Sequence, residues 1–147
     1  MTVTLDEIRG VLARYLDAHP DHAPGVARLT HALVPGRDLA SRSTFPLHVT
    51  ASAAAIDDTG RVLMIHHRAL DRWLLPGGHV EPDDHSLYGA ALRELEEETA
   101  HWHADFRFAF WVKDTPITLQ AEEVSAFDWR SPADLPTVHL ANSVAAI

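Results

Sequence analysis

Two helical patterns occupy the first third of the chain. In the first, an apolar side chain recurs at every third or fourth position: Leu5, Ile8, Leu12, Tyr15 and Leu16. Such spacing is typical of a helix with one buried face. Thr4 to Glu7 form a capping-box pattern at its start, and the stripe stops near Pro20. A second, shorter helix is predicted to begin at Pro24 and to end near Leu33, before a stretch rich in turn residues.

The pattern changes to short β-prone runs after residue 46. The first two are Val49–Ile56 and Val62–His67, and the linker Asp57-Asp58-Thr59-Gly60 predicts a hairpin between them. Further strands are predicted at residues 106–112, 117–120 and 124–129, followed by a short helix or turn at residues 134–136. We therefore expect a helical extension over residues 1–44 and one α/β domain over residues 45–147.

A second kind of pattern interrupts the strands between residues 73 and 99. Trp73-Leu74-Leu75 leads into a predicted turn at Pro76-Gly77-Gly78, and a helical pattern follows. Leu87, Ala91 and Leu95 are spaced to seat that helix on a sheet. Asp83 or Asp84 is expected to cap its N-terminus.

The C-terminal part of this predicted helix is strongly acidic. Glu94, Glu97 and Glu98 are related by i, i+3 and i+4, so a helix places them on one face, whereas Glu96 points elsewhere. Like charges at that spacing repel one another, which indicates that a cation belongs among them. An all-carboxylate set favours Mg²⁺ or Mn²⁺ over Zn²⁺, which prefers His and Cys ligands.

Composition narrows the class of protein. The chain has 147 residues, 46% of them hydrophobic, and a formal net charge of -9, which disfavours a nucleic-acid polymer as a partner. No apolar run approaches membrane length, so no membrane partner is expected. The chain has no Cys, and its first residues lack the pattern of a secretory signal, which makes the cytoplasm the expected compartment.

Residues 78–101 resemble the Nudix box, the signature of the Nudix hydrolases. The match is close over the seven residues from Arg93 to Thr99, and residues 73–81 are similar to the family's lead-in. One residue is inserted, so the position of the family's first glutamate falls on Asp84 or His85. The closing Gly-aliphatic pair is replaced by Ala100-His101. The segment between the box and the next strand is also shorter than in related sequences.

The resemblance implies a fold and a set of site residues. The fold is an α/β/α sandwich with a mixed β-sheet. Glu97 and Glu98 would be the principal metal ligands, and Glu94 would be a ligand or the general base. Arg93 would hold the box carboxylates in position, and the Gly78 carbonyl would complete the metal site.

Other residues are weaker candidates. Glu122 or Glu123 could supply a ligand or base from outside the box. Gly77 and Gly78 are expected to let the backbone approach a diphosphate closely. Glu81 and Arg68 are candidates for substrate contact, with solvated surface as the alternative for each. His79 or His85 could touch phosphate or donate a proton, although most of the 11 histidines are expected on strand or loop surfaces.

The implied activity is metal-dependent hydrolysis of a diphosphate linkage in a small nucleotide substrate, a nucleoside diphosphate joined to another group. Two alternatives stay open. The altered box end and shortened middle segment are compatible with an inactive Nudix-like nucleotide-binding or sensor module. The apolar helices of the first 44 residues could pack within the domain or form a homodimer interface, as in an assembly protein.

Overall fold

A computed structural model describes residues 2–92, 102–112 and 124–137. The helices in these ranges are α1 (Leu5–Ala18), α2 (Ala27–Ala32) and α3 (Leu87–Leu92), with short 3-10 helices at Pro20–Val26 and Pro132–Asp134. The strands are β1 (Leu47–Ile56), β2 (Val62–His67), β3 (Arg72–Leu74), β4 (Gly77–His79), β5 (Trp102–Trp111) and β6 (Val124–Arg130).

The six described strands form one mixed sheet around β1. Strand β1 pairs in parallel with β5 along its whole length and antiparallel with β4 and with the start of β2. Strand β2 pairs antiparallel with β3 and with β6. This mixed sheet with helices confirms the predicted fold class. The strands expected at residues 49–56, 62–67 and 124–129 are present within one or two residues at each end, whereas the one expected at residues 117–120 lies outside the described residues.

The hairpin between β1 and β2 is closed by Asp57. Its Oδ1 accepts hydrogen bonds from the backbone N–H groups of Thr59 and Arg61, both at 2.9 Å, and its Oδ2 accepts from the Arg61 guanidinium at 2.8 Å. Burial opposes ionisation of this carboxyl, but the hydrogen bonds from Arg61 and Thr59 outweigh it and lower the pKa of Asp57 from 3.8 to about 2. Gly60 supplies the positive φ of 79° that the turn requires.

The N-terminal residues begin as predicted and then differ. The hydroxyl of Thr4 accepts a 3.2 Å hydrogen bond from the Glu7 N–H at the start of α1. The second α-helix starts at Ala27 rather than at Pro24, because residues 20–26 form a 3-10 helix with Pro24 inside it. Pro24 has no N–H to donate and disfavours the α conformation at the residue before it, so the α-helix begins beyond it.

Two clusters of buried apolar side chains lie against β1, and we call them the helix-side cluster and the hairpin-side cluster. The helix-side cluster joins all three described α-helices to β1: Val3, Ile8, Leu12, Leu29, Ala32, Leu39, Ala40, Leu47, Val49, Ala51, Ala53, Val80, Leu87, Ala90 and Ala91. The hairpin-side cluster is smaller: Ala54, Ile56, Val62, Met64, Leu75 and Leu135. Residues before position 45 thus share a core with the sheet. No helix in the described ranges is long and apolar enough to span a bilayer.

Candidate active site

Strand β4 lies very close to β1, and Gly77 makes this approach possible. A Cβ atom built on Gly77 would lie 2.3 Å from Ser52 Oγ, 2.6 Å from Ser52 Cα and 2.7 Å from the carbonyl oxygen of Ala51. Two of these three neighbours are backbone atoms, so a rotamer change at Ser52 could not make room. Gly77 is therefore required by sterics alone.

The Gly-Gly pair is part of a strand and not the turn that the sequence suggested. Gly77 and Gly78 stand opposite Ser52 and Ala51 in the antiparallel register. Pairing with β1 holds the two glycines in a strand, and this pairing continues before β4 with a 2.7 Å bond from the Ala53 N–H to the Pro76 carbonyl. In such a ladder, bonded and non-bonded pairs alternate, so the backbone groups of Gly78 face Ala51 and those of Gly77 face away from β1.

The loop after β4 is closed by Asp84. This side chain is only 5% exposed, and its Oδ2 accepts a 2.8 Å hydrogen bond from the Glu81 N–H. The Asp84 N–H donates to the Glu81 carbonyl at 3.0 Å. Glu81 also lies 3.7 Å from Arg42 of the helical extension over residues 1–44, which we call the N-terminal arm, in a partly exposed ion pair. Asp84 therefore stabilises the loop and does not cap the helix.

The N-terminus of α3 is capped from two sides. Ser86 Oγ accepts from the Gly89 N–H at 2.9 Å, and Glu7 Oε1 of α1 accepts from the Leu87 N–H at 2.8 Å. The predicted caps, Asp83 and Asp84, are thus incorrect. Ser86 is closer to the helix start, and Asp84 is already engaged by Glu81. The capping-box pattern predicted the hydrogen bond from the Glu7 N–H to Thr4. It did not predict that the Glu7 side chain accepts a hydrogen bond from α3.

The described part of α3 buries one face. Leu87, Ala90 and Ala91 are at most 2% exposed and belong to the helix-side cluster, whereas Tyr88 is half exposed. The small side chains of Ala90 and Ala91 face a strand that carries alanine at positions 51 and 53, which favours close helix–sheet contact. The predicted stripe is confirmed at Leu87 and Ala91. Its third member, Leu95, lies outside the described residues.

The predicted site residues divide into two groups. Gly77, Gly78 and Glu81 lie on β4 and the loop that leads directly into α3, while Arg68 is exposed in the turn between β2 and β3. The remaining candidates lie outside the described residues: Arg93, Glu94, Glu97, Glu98, Glu122 and Glu123. Their roles stay predictions.

Four histidines of the described residues make contacts within the sheet or its turns. His48 and His79 are buried with ring centroids 5.0 Å apart, next to the β1–β4 ladder. His67 Nδ1 accepts a 3.2 Å hydrogen bond from the Leu70 N–H, and His66 lies between Ser125 and Asp71. Within the described ranges, no group of three or more His, Asp or Glu side chains is arranged to hold a metal ion. A histidine metal site is therefore not supported there.

A comparison with protein families gives one match of broad extent. The model described as the NUDIX domain matches residues 46–146, more than two thirds of the chain. The chain belongs to the Nudix family. As a Nudix protein it is a phosphohydrolase of phosphoanhydride bonds, and the matched range covers the sheet, α3 and the box.

Solved structures share this fold at low sequence identity. A MutT protein from Methanosarcina mazei Go1 is 20% identical with a TM-score of 0.56, covering 72% of this chain and 97% of that one. A C. elegans Ap4A hydrolase in a binary complex is 16% identical with a TM-score of 0.52, covering 66% of this chain and 96% of that one.

A third structure extends over the N-terminal helices as well. A UDP-X diphosphatase is 16% identical with a TM-score of 0.52, and the alignment covers 96% of this chain and 80% of the other. At these identities the likeness concerns the fold alone. Proteins of curated function give no significant match.

Proposed function

We propose that this Nudix chain hydrolyses a phosphoanhydride bond in a nucleoside diphosphate linked to another group, with a divalent cation, Mg²⁺ or Mn²⁺, as cofactor. The observation that carries the proposal is the buried face of α3. Leu87, Ala90 and Ala91 contact the sheet, and the positions seven residues further on are Glu94, Glu97 and Glu98. Seven residues are almost two helical turns, so a helix continued through these positions would carry the three carboxylates on the face that is apolar in α3.

The donor set suits a hard divalent cation. Three carboxylates, which helical spacing would place on one face, and a backbone carbonyl offer only oxygen, which Mg²⁺ and Mn²⁺ prefer. Glu97 and Glu98 would be the principal ligands, with Glu94 as a third ligand or as the base. The Gly78 carbonyl, which the β1–β4 ladder directs toward Ala51, stays the ligand that the box resemblance implies. The same alternation directs the Gly77 carbonyl away from β1, which makes it a further candidate ligand.

The close approach of β4 to β1 also fits a bound diphosphate. A strand without Cβ atoms at two successive positions leaves its backbone accessible to a phosphate group. When bound, the cation supplies neutralisation of phosphate charge and makes water more acidic. Glu94, or a glutamate outside the box such as Glu122 or Glu123, would accept the proton of the attacking water. Arg93 would pair with the box carboxylates and hold them in position.

The proposed reaction breaks one P–O bond of the phosphoanhydride and one O–H bond of the attacking water. The oxygen of water forms a bond to phosphorus, the bridging oxygen departs with the second phosphate, and the base holds the released proton. Glu81, which lies in the loop before α3, is a candidate for substrate contact. Its ion pair with Arg42 is long, at 3.7 Å, and partly exposed, so the carboxylate is accessible from solvent. Arg68, exposed in the β2–β3 turn, is a further candidate for phosphate contact.

The experiment is a panel of diphosphate-linked nucleotides assayed for mononucleotide or phosphate release with Mg²⁺, with Mn²⁺ and with chelator. The panel holds nucleotide sugars, dinucleotide cofactors, nucleoside triphosphates and dinucleoside polyphosphates. The proposal predicts metal-dependent release from at least one member. Saturable nucleotide binding by calorimetry without any release would contradict the proposal and favour an inactive sensor module.

A further inference from the structure

A cavity of about 440 Å³ lies between α2 and the start of β1, well away in sequence from the Nudix box. Its lining residues are Arg28, His31, Ala32, Arg37, Pro46 and Leu47. Three of these are basic, three are apolar and none is acidic. The volume is within the range of small-molecule sites in proteins. The chain as a whole carries a net charge of -9, so the lining of this cavity has the opposite charge balance.

The fold fixes the position of the basic side chains. Arg28 and His31 are three residues apart on α2 and therefore lie on one side of that helix. Arg37 follows a turn in which Gly36 has a φ of 82°, a value that favours glycine. The Arg37 guanidinium donates a 3.2 Å hydrogen bond to the Phe45 carbonyl, the residue before Pro46. Arg37 is thus held at the cavity by the protein itself.

Among the described residues, four other arginines lie close to a carboxylate, whereas Arg37 does not. Arginines 9, 42, 61 and 130 each lie within 4 Å of a carboxylate: Asp6, Glu81, Asp57 and Asp128, respectively. For Arg37 and for His31, the described part of the chain contains no such carboxylate. A guanidinium has five N–H donors in a planar fork, and only one is used by Phe45.

We propose that this cavity is a binding site for a phosphoryl anion, held by Arg28 and Arg37 with His31 beside them. A guanidinium fork matches the oxygen geometry of phosphate, and Arg28 brings a second positive charge to the cavity that Arg37 lines. The apolar wall formed by Ala32, Pro46 and Leu47 accommodates the less polar part of a phosphate ester. Neither the family match nor the box assigns a role to these residues.

The cavity lies on the sheet face that carries the box helix. Leu47 shares the helix-side cluster with Ala51 and Leu87, and Ala51 stands opposite Gly78. Ala51 lies four positions after Leu47 along the strand, which corresponds to about 13 Å. The anion is therefore either a second phosphoryl group carried by the substrate, an assignment that rests on the proposed function, or free phosphate. Both share one chemistry.

The binding test needs no catalysis and uses inorganic phosphate as the probe. The ring resonances of His31, assigned by their loss in H31Q, are followed by NMR during a phosphate titration without metal and at constant ionic strength. We expect a saturable shift whose midpoint rises about tenfold in R28A and in R37A, the loss expected for one charge-assisted hydrogen bond. The exposed Arg14, which does not line the cavity, provides the control variant R14A.

The comparison among these variants decides the proposal. A midpoint raised in R28A and R37A but not in R14A supports it. A shift that does not saturate, that chloride reproduces, or that is equal in all variants overturns it. Arg37→Lys, which keeps the charge but loses the fork, should bind with intermediate affinity if Arg37→Ala is unstable. Full affinity in both Arg37 variants would also overturn the site.

A kinetic measurement then separates the two sources of the anion. If the phosphoryl group belongs to the substrate, R37A raises KM about tenfold only for substrates with a phosphate beyond the diphosphate that is hydrolysed. If the anion is free phosphate, R37A leaves every KM unchanged while the NMR midpoint still rises. Absence of hydrolysis in the wild type would remove the proposed function but leave the NMR result intact.

Discussion

The helix-side and hairpin-side clusters of β1 are stabilised in different ways. On the helix side, the contacts that fix α3 join residues 80 positions apart, as in the hydrogen bonds from Leu87 to Glu7 and from Thr2 to Pro82. On the hairpin side, Asp57 is bonded to residues two and four positions away. The candidate active site therefore depends on long-range contacts with the N-terminal helices, whereas the hairpin is stabilised by local hydrogen bonds.

Because of this contrast, residues before position 46, where the family match begins, contribute to the structure of the candidate site. Two residues of the arm act directly on the site elements: Glu7 on the first turn of α3 and Arg42 on the loop after β4. Residues of α1 and α2 lie in the same cluster as β1 and α3. A substitution in the arm should therefore lower turnover, whereas a substitution of similar size in the hairpin should lower only the stability of the fold.

The largest expected effect is that of Leu87→Ala. Leu87 is fully buried at the centre of the helix-side cluster, so its truncation should cost about 2–5 kcal/mol in the free energy of unfolding. Leu75→Ala is the matched control in the hairpin-side cluster. Denaturant unfolding measures both costs. Turnover of the two variants is then compared at a temperature where both are folded. An equal loss of turnover in Leu87→Ala and Leu75→Ala would contradict the contrast between the clusters.

Gly77→Ala should have the next largest effect. A Cβ at 2.3 to 2.7 Å from Ser52 and Ala51 must push β4 away from β1, at about 1–3 kcal/mol. Because β4 leads to the site, turnover should fall far more than stability does. Gly25→Ala is the control, since a Cβ at Gly25 meets no atom within 4 Å. Normal turnover in a folded Gly77→Ala protein would show that β4 does not position the site.

Glu7→Ala removes the acceptor for the Leu87 N–H and should cost about 1 kcal/mol, as for other helix caps. Since the cap is at the start of α3, kcat should fall with little change in KM, and Glu7→Gln, which keeps an acceptor oxygen, should restore most of it. Thr4→Ala disturbs only the start of α1 and is the control. A purely structural role would give the same kcat in Glu7→Ala and Thr4→Ala proteins.

The smallest effect concerns Asp57 and pH. Its pKa of about 2 in the folded protein lies below the ordinary value of 3.8, so its ionised form stabilises the fold above about pH 4. That contribution is lost as the pH falls from about 4 to about 2. Asp57→Asn should therefore lower the melting temperature at neutral pH, and the gap to wild type should narrow in that acidic window. A gap that is independent of pH would contradict the assignment, and turnover should be unchanged at neutral pH.

Local patterns in the sequence predicted much of this architecture. The apolar stripe of α1 and the Asp57–Gly60 hairpin depend on residues close together in the chain, and each predicted the right element. The box resemblance is equally local, and it predicted the right family. The errors came from competition between local signals or from long-range pairing. Pro76-Gly77-Gly78 has turn composition, yet β1 takes the glycines into the sheet because only glycine fits beside Ser52.

The capping of α3 shows the same limit at the candidate site. Asp83 and Asp84 are good capping residues by composition, but Asp84 closes a tighter loop with Glu81, and Ser86 then takes the cap position. No local pattern indicates that the side chain of Glu7 crosses to α3, since its spacing from Thr4 fits a cap within α1 equally well. Helical spacing did predict the apolar contact face of α3, except for Ala90.

The central proposal is that the helical pattern of α3 continues beyond Leu92, so that the face apolar at Leu87, Ala90 and Ala91 carries Glu94, Glu97 and Glu98 as ligands of a divalent cation. Its most direct test is the metal-dependent turnover of E97Q and E98Q against E96Q, with folding checked by thermal melting. Glu96 has the same charge but a different helical face. The account predicts a loss of about 100-fold or more in E97Q and E98Q and near-normal turnover in E96Q. Equal turnover in all three variants would contradict it.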